Sequence, residues 1–236
     1  MTPVVYARIA GLAYLAIFIL AIGANFGVLE GLRVPGDAAA TLANIQSGET
    51  AFRVAIAALF AVLFADLIVA WALYALFQPL APRLTGLTML FRVAYTLSHI
   101  PFVILLVIAL RAATSETMFT APDAAAHELL RAHGIGFTYT LLFFGVHLVL
   151  LGFLALKTRG LPVVLGGLVA LAGLGYLLDG FGGLLLPDLF GASPILGLII
   201  VIAPALVGEG LLTLYLLIRG VDARRWAAPQ VEAASS

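Results

Sequence analysis

Residues 52–78 read FRVAIAALFAVLFADLIVAWALYALFQ. From Val54 to Phe77 the only charged residue is Asp66. At 1.5 Å per helical residue this stretch reaches roughly 36 Å, more than the ~30 Å hydrocarbon core of a bilayer. It carries no recurring polar stripe of the kind a half-buried helix in water needs. Such a segment reads as a helix that crosses a membrane.

Working outward, five more segments have the same character: about 7–29, 86–110, 134–156, 162–186 and 194–218. Turn formers or charges bound them. Pro79-Leu80-Ala81-Pro82-Arg83 ends the quoted span, Lys157-Thr158-Arg159-Gly160 the fourth and Pro187-Asp188 the fifth. The expected fold is an all-α integral membrane protein, a bundle of six transmembrane helices. Its expected limits are residues 1–226 as a single transmembrane domain and 227–236 as a short disordered tail. Arg8 and the apolar run Ile9–Ile22 resemble a signal peptide, but the apolar stretch continues through Leu29, long enough to span, and reads as a retained first helix.

Composition agrees with this solvent. Hydrophobic residues make up 63% of the 236-residue chain and charged residues 10%, against about 25% charged in soluble domains. Water-facing surface could not be covered with so few charges, whereas lipid tails solvate an apolar exterior. The lipid bilayer is therefore the expected partner. Zero formal net charge gives no basic footprint for nucleic acid. The absence of cysteine excludes disulfides, thiolate metal sites and cysteine nucleophiles. Oligomeric state is not legible.

Basic residues set the expected orientation. Arg8, Arg83, Lys157, Arg159, Arg219, Arg224 and Arg225 fall on one side, and Arg33, Arg53, Arg111 and Arg131 on the other. The excess places both termini in the cytoplasm, in a bacterial inner membrane. Two segments on the outer side read as short interfacial helices. Asp37 caps one over about 38–46. Thr120 and Asp123, in a capping-box arrangement, start another that runs through His127 and Arg131 toward the fourth span.

Within apolar spans the informative residues are polar, because a charge at mid-bilayer is costly and usually has a partner or a role. Asp66, Arg92, His99, His147 and Glu209 fall within about 10 Å of depth when counted from the inner helix ends. Arg92, Tyr95, Thr96 and His99 share one face at i, i+3, i+4 and i+7. Asp66, Arg92, Tyr95, His99, His147 and Glu209 thus form a candidate buried cluster, with Arg53, His133 and Asp179 as polar candidates nearer the outside. One reading is an ion pair of Arg92 with Asp66 or Glu209 that only holds helices together. The other is a cavity that admits a solute, ion or proton. Pro101 and Pro204, close to His99 and Glu209, predict helix breaks. The glycines of the fifth span, Gly166 to Gly183, point to close helix packing. The echo of Ala10-Gly11-Leu12-Ala13-Tyr14-Leu15 in Ala172-Gly173-Leu174-Gly175-Tyr176-Leu177 reads as shared packing chemistry.

No catalytic signature is complete. His127-Glu128-Leu129-Leu130-Arg131 lacks the second histidine of a zinc motif. The spacing of His99, His147, Asp66 and Glu209 demands neither a metal nor a haem, so no cofactor is expected.

Six stretches resemble a bacterial membrane family known as domain of unknown function number 4386. They are residues 7–15, Val34-Pro35-Gly36-Asp37 with the alanines after it, His133-Gly134-Ile135-Gly136-Phe137, Phe144-Gly145-Val146-His147, Gly173-Leu174-Gly175-Tyr176-Leu177 and Pro204-Ala205-Leu206-Val207-Gly208-Glu209. The resemblance implies a small multi-span envelope protein and supplies no activity. Asp179 and His99 lie outside these stretches. Three functions stay open: a membrane protein binding or moving a small solute or proton through the cluster, an intramembrane enzyme with His147 as base, and a non-catalytic envelope or partner-stabilising component.

Overall fold

The computed structural model describes residues 1–115, 119–158, 160–191 and 198–221. Glu116, Arg159, Arg224, Arg225, residues 194–197 of the expected sixth span and the expected tail 227–236 lie outside them. The described residues form eight helices and no strand. Six helical segments are long and apolar enough to cross a membrane, the last of them Ile199–Ile218.

Helix α1 runs over Pro3–Leu32. It is α-helical to Ala24, widens into a π-helical turn over Asn25–Leu29, and ends in a short α segment, Glu30–Leu32. Then come α2 (Ala38–Ser47), α3 (Glu49–Phe77), α4 (Pro82–Thr114), α5 (Pro122–Thr158), α6 (Val163–Leu185), α7 (Pro187–Gly191) and α8 (Ala203–Ile218). A second π-helical turn, Leu198–Ile202, leads into α8.

Asp37 caps α2 as the sequence predicts: its carboxylate accepts a hydrogen bond of 2.8 Å from the Ala40 amide. Two expectations need correction. The helix expected to start at Thr120 is not a separate element. It is the first part of the 37-residue α5, which begins at Pro122 because proline fits the first helical position, where no amide donor is required. And α4 continues as α-helix through Pro101. The irregular backbone lies elsewhere, in the π-helical turn of α1 and in the one preceding Pro204.

The chain forms two compact units. The first comprises Met1–Leu15, Asp66–Tyr95 and the described residues from Thr140 to Val221. Its helices approach through glycine. A methyl group at Gly152 of α5 would stand 2.5 Å from the Gly166 carbonyl oxygen of α6, and one at Gly145 would stand 2.8 Å from that of Gly173. The two glycines of α5 and their partners on α6 are spaced alike but run in opposite order, the register of an antiparallel pair. A methyl group at Gly208 of α8 would stand 2.6 Å from the Leu168 carbonyl oxygen of α6, and one at Gly11 of α1 would stand 2.6 Å from the Leu217 amide nitrogen of α8. Lipid offers no hydrophobic gain for joining helices, so close packing of backbones supplies the attraction. Leu76, Phe77, Leu148, Leu154 and Leu216 fill the interior, while Leu12, Trp71, Leu90, Phe153 and Leu171 are exposed. In water such a surface would aggregate; in lipid it is the solvated face.

The second unit comprises Ala16–Ala65 and Thr96–Tyr139. Its core gathers Ile45, Phe52, Leu59, Val103, Leu106 and Leu130. Helix α2 is fastened by its polar side chains. Asn44 donates to the Leu32 carbonyl at 3.3 Å and Gln46 to the Ala113 carbonyl at 3.0 Å. These bonds occupy carbonyls that the ends of α1 and α4 leave without intrahelical donors.

The glycine contacts predict a contrast within one protein. Gly152→Ala forces α5 and α6 apart and should destabilise by about 1–3 kcal/mol. Gly167→Ala, where an added methyl meets nothing within 4 Å, should leave the thermal midpoint in detergent unchanged or raised. Equal midpoints for both variants would refute glycine-mediated packing.

Candidate functional site

Arg92 stands a third of the way along α4 with 1% of its surface exposed. A guanidinium so placed must be hydrogen-bonded, since an unpaired charge in a medium of low dielectric is prohibitively costly. Four of its five N–H donors are accounted for within the first unit. Nη2 donates to the Asp66 carboxylate in a buried ion pair, and Nε donates to the Asp66 backbone carbonyl at 3.3 Å. Nη1 donates to the Tyr14 hydroxyl at 2.7 Å and reaches His147 Nε2 at 3.2 Å. The guanidinium also lies 4.7 Å from the centre of the Tyr14 ring and 5.4 Å from that of Phe144. One side chain of α4 thereby ties together α1, α3 and α5.

Its neighbours fix the state of His147. The ring nitrogen Nδ1 lies 2.9 Å from the Thr88 carbonyl oxygen, which can only accept. The proton therefore sits on Nδ1, and Nε2 accepts from Arg92. Both nitrogens are engaged. In the Asp66 carboxylate only one oxygen is paired; Oδ2 is buried and has no hydrogen-bond partner among the described residues.

Glu209 of α8 is 7% exposed and accepts a 2.9 Å hydrogen bond from the Tyr176 hydroxyl of α6. Among the described residues it makes no ion pair. Phe144 connects this carboxyl to the arginine. Its ring packs against Tyr95 at 4.9 Å, His147 at 5.7 Å and Tyr176 at 5.6 Å. The cluster is thus one guanidinium, two carboxyls, one imidazole and three phenols, arranged around a phenyl ring.

Of the six residues expected in this cluster, Asp66, Arg92, Tyr95, His147 and Glu209 lie in the first unit. His99 belongs to the second, where its ring lies 4.9 Å from Phe137 and stacks on His133 at 6.1 Å. Counting depth along straight helices could not resolve this, since it locates a residue along an axis and not among its neighbours. Of the outer candidates, Arg53 is exposed and pairs with Glu49 at 2.6 Å, Asp179 is half-buried, and His133 is held by the Phe102 carbonyl at 3.0 Å.

Tyr14, Thr88, Phe144 and Tyr176 were not singled out by sequence, yet a signal for three of them existed. The echoed hexapeptides each carry a glycine and, three residues on, a tyrosine. Gly11 and Gly173 make close helix approaches, while Tyr14 and Tyr176 serve the buried arginine and the buried glutamate. Phe144-Gly145-Val146-His147 and Gly208-Glu209 follow the same logic, a close approach beside a polar group. Among the described residues no three of His, Asp and Glu converge as metal ligands would.

The chain matches the family described as Domain of unknown function (DUF4386) over residues 9–220. It belongs to that family. The matched span contains every member of the cluster, from Tyr14 to Glu209. An uncharacterized protein of Archaeoglobus fulgidus is 32% identical over 124 residues, which is 52% of this chain and 64% of that protein. Similarity to this DUF4386 member therefore extends to an archaeon. No solved structure matches the chain.

The Arg92 arrangement predicts an asymmetry between single and double replacement. Arg92→Met alone leaves the Asp66 carboxylate buried without its cation and should destabilise by roughly 3–5 kcal/mol. Combining it with Asp66→Leu should recover most of that loss, read as the thermal midpoint of the purified protein in detergent. A double variant no more stable than the single one would remove the ion pair as the reason for the cost.

Proposed function

We propose that this membrane protein binds and transfers a proton or a small solute through the first unit's polar cluster. In this reading Glu209 is the exchanging group and Arg92 the fixed counter-charge. The carrying observation is the inequality of the two carboxyls. Asp66 is ion-paired with the guanidinium, while Glu209, also buried, is hydrogen-bonded to a phenol and makes no ion pair among the described residues. A buried carboxyl without an ion pair is costlier than glutamine or leucine would be there, so its presence in that environment supports a protonation or ligand-binding role. The open Oδ2 of Asp66 offers a second acceptor in the same unit.

The geometry does not favour an intramembrane enzyme with His147 as base. Its Nδ1 proton is held by Thr88 and its Nε2 lone pair by Arg92. A specific observation does favour a second reading, in which the cluster is a structural clamp. Arg92 alone fastens four helices through bonds that need no ligand. The clamp and the exchange site coincide only in part, since Glu209 forms none of the bonds described above for Arg92, so one substitution separates them. Glu209→Gln keeps a hydrogen-bonding partner for Tyr176 and removes the acid. Wild-type proteoliposomes should show proton flux, or uptake of some member of a broad solute panel, that the variant loses. Equal leak from both would leave the clamp as the cluster's role.

We further infer that both termini face the cytoplasm, from the excess of Lys and Arg on the terminal side. The chain has no cysteine, so single introduced thiols report without background. In intact cells an impermeant maleimide should label Ala39→Cys and spare Thr2→Cys. The opposite pattern would invert the topology.

A further inference from the structure

The second unit contains a cavity of about 450 Å³, within the range that holds small organic ligands. It is separate from the polar cluster, and all its lining residues belong to that one unit. The π-helical turn of α1 and the residues just after it form one wall. Such turns recur at functional positions because the extra residue per turn redirects side chains and loosens the hydrogen-bond ladder. Here the wall presents Asn25, Phe26, Leu29, Glu30 and Arg33. Helix α5 faces it with Leu130, His133, Gly134 and Phe137.

Four polar side chains on these walls keep bonding capacity in reserve. Asn25 uses its Nδ2 on the Ala21 carbonyl at 2.9 Å, which leaves Oδ1 as an acceptor. His133 places Nδ1 3.0 Å from the Phe102 carbonyl oxygen. That oxygen can only accept, so the ring proton is on Nδ1 and Nε2 offers a lone pair. Glu30 and Arg33, three residues apart on adjoining backbone, form no ion pair with each other or with any other described residue. The walls therefore present three acceptors (Asn25, Glu30 and His133) and one cation beside a floor of Phe26, Leu29, Leu106 and Phe137.

We propose that this cavity binds an amphipathic zwitterion: an ammonium and an anionic group on one head, joined to an apolar body. The ammonium satisfies Glu30, Asn25 Oδ1 and His133 Nε2. The anion meets Arg33, and the apolar body lies against Phe26 and Phe137. A purely anionic ligand would leave Glu30 facing it, and a purely cationic one would face Arg33, so the paired head is the chemistry that uses both. Two sources carry it, the head of an aminophospholipid and a free apolar amino acid.

Gly134 provides the test. Gly134 lines the cavity and an added Cβ there meets nothing within 4 Å, so Gly134→Leu adds bulk to the cavity wall. The lipid arm compares the thermal midpoint in nanodiscs of phosphatidylethanolamine and of phosphatidylglycerol, which lacks the ammonium. The free-ligand arm measures equilibrium binding of radiolabelled L-phenylalanine, with its decarboxylated amine as control. Wild type should prefer the zwitterion over its control in one arm. Gly134→Leu should abolish that preference, and Glu30→Gln should weaken it about tenfold, the scale of one lost charge-assisted hydrogen bond. Should Gly134→Leu fail to fold, Glu30→Gln, at an exposed helix end, decides alone. No preference in either arm, or a preference unaffected by these variants, overturns the proposal.

Discussion

The organisation of the first unit depends on the desolvated guanidinium of Arg92. Nothing in lipid can hydrogen-bond it, so the protein must bring partners from outside α4. Asp66 supplies charge, Tyr14 and His147 supply acceptors, and the Tyr14 and Phe144 rings supply polarisable faces. The partners arrive on three other helices, α1, α3 and α5. A single requirement for satisfaction is thereby converted into a specification of which helices pack together, which apolar contacts against lipid could not provide, because Leu is as well solvated by acyl chains as by other leucines.

Glycine brings together the other helices of this unit, α1, α5, α6 and α8. The short side chain of Asp66 meets Arg92 only where the backbones of α3 and α4 come close. The glycine contacts of α1, α5, α6 and α8 occur beside the polar residues they serve: Gly11 before Tyr14, Gly145 before His147, Gly173 before Tyr176, Gly208 before Glu209. Packing and polar chemistry are one design in this unit. The second unit differs, with an aliphatic and aromatic core, a capped helix fastened by Asn44 and Gln46, and a cavity in place of a filled polar centre.

The two carboxyls of the first unit illustrate why a buried charge is weak evidence of function by itself. Asp66 is explained by its cation, and a reader of the ion pair alone would need no further role for it. Glu209 lacks such a partner among the described residues, and the asymmetry is what supports exchange. His147 illustrates the converse. A histidine in a membrane helix invites a catalytic or relay role, yet both its nitrogens are used to orient its neighbours.

Solvent decided what the sequence could disclose. Six apolar segments of bilayer length, few charges and the cap at Asp37 were legible, because hydrophobic length and local capping depend on residues near in the chain. The residues carrying charge at depth were legible for the same reason. Which of Asp66 and Glu209 pairs with Arg92 was not, since the three stand on different helices, and His99, one face-mate of Arg92 by periodicity, belongs to the other unit. The π-helical turns were also hidden; no residue in Asn25–Leu29 announces one by type. Partnership, register and cavity arise from backbone approach between segments distant in the chain, and only the tertiary structure sets those distances.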